Sequence, residues 1–251
     1  MILVAGQQPE ESVGRLSVAQ QWRAMTFLHW AYDPGQLRAL VPPELDLDTW
    51  DGKAWVSVTP FLMVDFRLPG LPPVPGLSTF PETNVRTYVR GPGGRDGIWF
   101  FSLEADSLAT VVSASMVYGA PYRWADMAVE EGAEDGKLVR YRSRRRICHA
   151  AGHDIAVRVG DPCPAPSDLD YWLTGRWRAW TKVGGQLATA AVEHQPWPLR
   201  TATVVELEQS LLPAEGLPNP EGAPLVHYSP GVSVRLGLPR LAGIRWRCRA
   251  R

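Results

Sequence analysis

Turn signals recur about every 8–12 residues along this 251-residue chain, and β-prone runs fill most of the gaps between them. Asp51-Gly52, Gly91-Pro92-Gly93-Gly94, an acidic stretch before Leu138 and Ala150-Ala151-Gly152 all read as such turns. That punctuation excludes a helical bundle. It predicts a mainly β protein with a few short helices, built as an antiparallel barrel or sandwich. Strands are expected at Trp22 to Tyr32, Asn84 to Val89, Ile98 to Ala105, Met127 to Glu130 with Leu138 to Arg146, Ile155 to Val159, Gln186 to His194, Thr201 to Leu207 and Val232 to Leu236. Leu45 to Trp50 and Lys53 to Met63 read as a hairpin across Asp51-Gly52. Short helices are expected at Pro34 to Leu40, with Asp33 as N-cap and proline at N1, and at Asp106 to Met116, with Asp106 as cap. Leu169 to Trp180 is helical or extended, and the Pro- and Gly-dense stretch from Leu68 to Pro81 is loop. Residues 1–20 read as an N-terminal arm. With no repeat, low-complexity tract or long linker, residues 21–251 read as one domain of a size that can bury its own core.

The net charge is zero and the pI near 7, so nothing in the overall balance points to nucleic acid. Arg142, Arg144, Arg145 and Arg146 form a basic cluster without interleaved aromatics, which suits a charged, solvated edge strand. No apolar run reaches the length of a membrane span, and no signal-peptide pattern opens the chain, so the expected location is cytoplasmic. Cys148, Cys163 and Cys248 lack the spacing of a disulfide framework or zinc site. Cys148, His149 and His153 are close in sequence but lie around a turn without a carboxylate to complete a ligand set, so no metal and no cofactor are expected. Eleven tryptophans suit core and cavity lining.

Tyr118-Gly119-Ala120-Pro121-Tyr122-Arg123-Trp124 follows an apolar run, and its proline fixes the backbone just before three large side chains. A phenol at Tyr122 can donate to a carbonyl or enolate oxygen or, with a lowered pKa, move a proton; it can also simply anchor the turn. Arg123 can clamp a carboxylate bidentately or serve as a surface residue paired with Asp126. In Glu82-Thr83-Asn84-Val85-Arg86-Thr87-Tyr88-Val89, alternation puts Glu82, Asn84, Arg86 and Tyr88 on one face and Thr83, Val85, Thr87 and Val89 on the other. Four polar groups in a row suit either a solvated sheet surface or a closed polar interior. Glu104 alternates opposite Leu103 and Ala105 and is a further candidate for such an interior. His194, ahead of Gln195-Pro196-Trp197-Pro198, is either a functional or a hydrogen-bonded structural histidine.

The turn at Gly119-Ala120-Pro121 resembles the active-site turn of the acetoacetate decarboxylase-like superfamily, where two lysines follow and one forms a Schiff base. Here those positions read Tyr122 and Arg123, and neither can form an imine. Met25 to Trp30 with Leu40-Val41-Pro42, Pro81 to Val89, Trp99 to Ala105, Gly175-Arg176-Trp177 and His194 to Leu199 resemble the DUF2071 (YqjF-like) family of that superfamily, over roughly Gln20 to Leu238. The resemblance implies the superfamily's β-barrel around a small-molecule cavity, with Glu82 in the position of a pocket glutamate and paired with Arg86.

The sequence thus predicts a cofactor-independent enzyme acting by proton transfer on a small carbonyl or carboxylate compound. It would be of lyase, hydratase, dehydratase, isomerase or cyclase type, and biosynthetic in role. Tyr122, Glu82 and Arg123 are its expected catalytic residues. Arg86, Asn84, Tyr88, Glu104, Tyr118, His194 and Trp197 are expected to bind substrate. The rival reading is a non-catalytic binding protein with an aromatic-lined cavity. Oligomeric state stays open, a homo-oligomer included.

Overall fold

The structure is a computed structural model that describes residues 12–14, 16–132, 137–147 and 151–242. Its elements run β1 (Leu16–Tyr32), α1 (Pro34–Arg38), β2 (Asp46–Leu47), β3 (Ala54–Arg67), β4 (Phe80–Gly91), β5 (Arg95–Ala105), α2 (Leu108–Tyr118), β6 (Tyr122–Glu131) and β7 (Leu138–Arg145) in the first half. The second half contributes β8 (Gly152–Pro162), α3 (Asp168–Thr174), β9 (Arg178–Val183), β10 (Gln186–His194), β11 (Arg200–Gln209), α4 (Leu211–Ala214), β12 (Leu225–Gly237) and β13 (Arg240–Leu241). Strands dominate and the helices are short, as the turn spacing predicts. Among the described residues no helix is long and apolar enough to cross a membrane.

All strands join one sheet, and the sheet closes on itself twice. Hydrogen-bonded neighbours lead from β4 through β3, β1, β12, β11, β8, β7, β6 and β5 back to β4. A second, smaller circuit leaves β12 through β10 and β9 to reach β5. The strands β12, β1, β3, β4 and β5 are therefore a wall shared by two lumens, and both faces of that wall are covered. This explains the unbroken run Met25-Thr26-Phe27-Leu28-His29-Trp30, in which every residue is buried: a strand covered on both sides needs no polar face. Ala24, Leu28, Trp30, Val56, Val58, Val85 and Val89 join Val139, Tyr141, Ile155 and Val157 in the main apolar core. The alternate residues of the same strands look the other way, toward β9, β10 and α3.

Pairing is antiparallel except at β5, which runs parallel to both β6 and β9. Parallel neighbours need a crossover, and α2 supplies it between β5 and β6. The cap of α2 is Ser107, whose hydroxyl accepts from the Thr110 amide, and not Asp106. Asp33 caps α1 in a reciprocal capping box with Gln36, with proline in the first turn, as its sequence predicts.

Three expectations are corrected. β1 begins at Leu16, inside the segment assigned to the arm, because its first residues pair with the end of β12. The hairpin across Asp51-Gly52 shrinks to a Trp50–Lys53 bridge; β3 pairs with β1 and β4, and β2 pairs with β4. The turn is real, but the long partner of β3 comes from elsewhere. Finally, β7 is an interior strand between β6 and β8. Arg142 there meets Glu130, Arg146 meets Asp126, and Arg145 is buried against Glu104 and Glu215. The basic cluster is thus matched by acids on adjoining elements.

Gly119 ends α2 with φ +62°, and a Cβ there would lie 2.0 Å from the Lys182 carbonyl oxygen. Gly93 is also left-handed, φ +77°, but nothing lies within 4 Å of its would-be Cβ. Gly119→Ala is expected to lose at least about 2 kcal/mol in urea denaturation, against about 1 kcal/mol for Gly93→Ala, which adds backbone strain without a collision.

Candidate active site

Register fixes which side chains share the smaller lumen. Across β1, β3, β4 and β5, His29 pairs with Ser57, Ser57 with Arg86, and Arg86 with Phe100. The next row is Thr59, Asn84, Leu103 and Tyr122, and the next is Phe61, Glu82, Ala105 and Trp124. Phe27 lies two residues before His29 on the same face and pairs with His227 of β12. Glu82, Asn84, Arg86 and Tyr88 therefore do share one face, and it is a buried interior.

Glu82 is 3% exposed, and the Tyr122 hydroxyl donates to its Oε2 at 3.2 Å. Burial pushes the Glu82 carboxyl up to about 8; the Tyr122 hydrogen bond opposes this and the Glu104 charge adds to it. At neutral pH Glu82 is accordingly mostly protonated. Tyr122 is pushed well above the usual phenol value, by burial first and then by Glu82. It stays a neutral donor, so the expectation that its pKa could fall is reversed.

Arg86 does not pair with Glu82. Four residues along a strand separate their Cα atoms by about 13 Å, and Asn84 stands between them. The guanidinium lies 5.7 Å from the Phe27 ring centroid, and its Nε and Nη2 are buried without a hydrogen-bond partner. Burial lowers its pKa, and Tyr88 opposes that drop. Asn84 Oδ1 is likewise buried and unpartnered.

A hydrogen-bonded chain organises the end of the site around Tyr88. The Tyr88 hydroxyl donates to the Leu173 carbonyl at 2.8 Å, and Ser57 Oγ is 2.6 Å from both the Tyr88 hydroxyl and His29 Nδ1. With the Tyr88 proton committed to Leu173, the Ser57 proton goes to Tyr88, and His29 donates its Nδ1 proton to Ser57. His29 Nε2 is left as a bare acceptor, buried and unpartnered. Burial, then His227 and Arg86, hold the His29 pKa well below the ordinary value, so the ring is neutral. His194 follows the same pattern. Its Nδ1 donates to the Gln195 carbonyl at 2.6 Å, and burial lowers its pKa to about 4. Its ring sits among Trp177, Trp197 and Trp22, with centroids 4.3, 4.7 and 6.0 Å away. Trp197 also stacks on Trp22 and meets the edge of Phe27. Together these rings form an aromatic wall.

The other expected residues fall outside. Arg123 follows Tyr122 in β6, so it faces the opposite way; it is exposed, and its Nη1 reaches only the Tyr122 carbonyl, at 3.4 Å. Glu104 pairs across β4–β5 with Thr83, on the face turned to the larger lumen. There it is fully buried and accepts from Ser102 and Arg145. Tyr118 ends α2 half-buried, and its carbonyl accepts from Thr181. His153 is structural, held by Thr83 and the Tyr141 carbonyl. Cys148 and His149 lie outside the described residues. Among those described, no group of three or more His, Cys, Asp or Glu side chains is arranged to hold a metal ion. The sequence reading missed His29, Ser57 and His227. Their signal was alternation in β1, β3 and β12, hidden because neighbouring residues on the opposite face are buried too.

A family model, DUF2071, described as an uncharacterized conserved protein, matches residues 19–233. YqjF of Bacillus subtilis (strain 168) is 40% identical over 212 residues, covering 84% of this chain and 86% of that one. Among solved structures, acetoacetate decarboxylase from Legionella pneumophila superposes with a TM-score of 0.66 at 16% identity, over 90% of this chain and 87% of that one. The enduracididine biosynthesis enzyme MppR, complexed with pyruvate, gives 0.67 at 13% identity, over 92% and 93%. An acetoacetate decarboxylase-like enzyme from Sphingomonas wittichii RW1 gives 0.63 at 15%, over 92% and 94%. At such identities the likeness establishes the fold.

The raised Glu82 pKa has a signed consequence for stability. Between about 4.5 and 8 the unfolded chain has lost the Glu82 proton while the folded one keeps it, so this group's contribution falls as pH rises through that window. Glu82→Gln keeps the neutral shape and removes the effect. Relative to the parent it is expected to gain roughly 3 kcal/mol between pH 5 and pH 8, read from paired denaturation curves.

Proposed function

The chain belongs to the DUF2071 family, and from that premise we propose that it is an enzyme that moves a proton on a small carbonyl or carboxylate compound without a Schiff base. The observation that carries this reading is the part-buried Tyr122–Glu82 hydrogen bond, with the buried Glu82 carboxyl poised at about 8. A general acid–base works best with a pKa near the operating pH, and this carboxyl has one. The single hydroxyl proton of Tyr122 goes to Glu82 in the unliganded site and holds that carboxyl in place; with substrate bound it can turn to the oxygen where charge develops. Arg86 takes the anchoring role that the sequence suggested for Arg123, since two N–H groups of its buried guanidinium, at Nε and Nη2, have no hydrogen-bond partner and suit a carboxylate. Enolisation, hydration, dehydration and cyclisation all use such a donor, acid–base and anchor. The aromatic wall of Trp22, Trp177 and Trp197 supports a second reading, a binding protein for a largely apolar ligand.

Exchange of the methyl protons of pyruvate in D2O, followed by NMR, separates the two. The parent is expected to accelerate exchange above buffer, and Glu82→Gln to lose about 10²-fold or more of that acceleration. Tyr122→Phe is expected to fold within about 1 kcal/mol of the parent. It should also be slower and shift upward the limb of the pH profile that Glu82 controls, because it removes the bond that lowers the Glu82 pKa. No acceleration by the parent with pyruvate or with longer 2-oxo acids sinks the proton-transfer reading and leaves the binding one.

The three lysines bear on the Schiff base directly. Lys53 and Lys137 are exposed, and Lys182 meets Glu44 at 3.2 Å. Borohydride trapping with pyruvate or acetoacetate is expected to give no lysine adduct by intact mass; one adduct per chain refutes the claim.

A further inference from the structure

Beyond the proton-transfer pair, the inner end of the site holds buried polar atoms without hydrogen-bond partners, and of these the proposed chemistry uses only those of Arg86. They fall into two kinds. The unpartnered donors are Arg86 Nε and Nη2, which lie on one edge of the guanidinium and hold a carboxylate side-on, two N–H groups to two oxygens. The unpartnered acceptors are His29 Nε2, His227 Nδ1 and Asn84 Oδ1. The tautomer of His29 is set by the Ser57–Tyr88–Leu173 chain. The tautomer of His227 is set by Asp170, whose Oδ1 is 3.2 Å from Nε2 and accepts a hydrogen bond from the Nε2–H. Asp170 is itself fixed, since its other oxygen accepts the Ser167 amide in the capping box of α3. The His29 and His227 ring centroids are 6.2 Å apart. His29, His227, Asn84 and Arg86 are all at least nine-tenths buried.

Each of these atoms costs free energy while buried without a partner. A ligand that satisfies them must accept at Arg86 and donate to the imidazoles. The donors have to be neutral, because an ammonium would meet the Arg86 charge in a low-dielectric interior; the same argument disfavours a metal ion bridging the two histidines.

We propose that the ligand of this site is a hydroxy acid, with its carboxylate on the Arg86 Nε–Nη2 edge and its hydroxyl groups donating to His29 Nε2 and His227 Nδ1. This rests on the reading of the site as a small-carboxylate site and narrows the substrate class. His29 and His227 are then specificity-determining residues and take no part in the proton transfer at Glu82.

Propanoate, lactate and glycerate test this, since they share a three-carbon acid and differ in hydroxyl count. Affinity for the parent protein, read by ligand-observed NMR titration, is expected to rise along the series, with glycerate at least about tenfold tighter than propanoate. His29→Phe and His227→Phe are each expected to shrink that ratio several-fold while leaving propanoate affinity near the parent value. Arg86→Gln is expected to weaken all three. Equal binding of the three acids, or no binding of any, overturns the proposal, and neither result depends on a variant folding. A glycerate-to-propanoate ratio that survives in both histidine variants overturns it too. So does stoichiometric zinc binding that both histidine substitutions abolish, which makes the histidines metal ligands. The titrations read equilibrium binding and the exchange assay reads chemistry. Hydroxy-acid binding without proton exchange therefore defeats only the catalytic reading, and exchange without a hydroxyl preference defeats only this one.

Discussion

The rest of the structure depends on a wall of five strands buried on both faces. A sheet with one wet face can hide its polar residues outward; β1, β3, β4, β5 and β12 cannot, because each closes two lumens at once. Where both faces are covered, a polar side chain on them must find an internal partner or remain unsatisfied. On the larger-lumen face Thr83 takes His153, and Glu104 Oε1 accepts from Ser102 and Arg145. On the smaller-lumen face several polar atoms of neighbouring residues stay unpartnered together, and these residues form the candidate site. The raised Glu82 pKa, the neutral histidines and the unpartnered Nε and Nη2 of Arg86 all follow from this covering of both faces.

The parallel joint at β5 does the remaining positioning. Because α2 crosses over between β5 and β6, β6 starts beside Leu103, one row from Glu82, and its first side chain faces the same lumen. Gly119 makes the approach possible, its Cα passing too near the Lys182 carbonyl for any side chain. Alternation then separates the two residues that follow the proline turn. Tyr122 points inward to Glu82, and Arg123 has to point out.

Much of this was legible in the sequence. Period-two alternation put Glu82, Asn84, Arg86 and Tyr88 on one face, and that arithmetic holds in any strand. The Asp33 cap and the proline turn before Tyr122 are local chemistry and could be read locally. What could not be read is which strands close the sheet. Without that, β7 reads as a charged edge, although it is interior and Arg145 is buried. Met25 to Trp30 reads as part of a strand with no face singled out, although His29 lies in the candidate site. The same gap hid the separation of Arg86 from Glu82, since sharing a face says nothing about meeting across four residues.

That separation shapes the chemistry open to the site. Had Arg86 and Glu82 met, each would have neutralised the other, and Glu82 would be held ionised, with a pKa below the ordinary carboxylate value. Kept apart by Asn84, they leave the lumen with two unlike ends. At one end a protonated carboxyl is backed by a neutral phenol. At the other a cation is flanked by neutral imidazoles, each with its one N–H already committed to a hydrogen bond with a neighbour. On the proposed reading, a ligand that spans them is held by its charge at one end and meets the acid at the other. The wall would then fix both where the ligand binds and which of its atoms exchanges a proton.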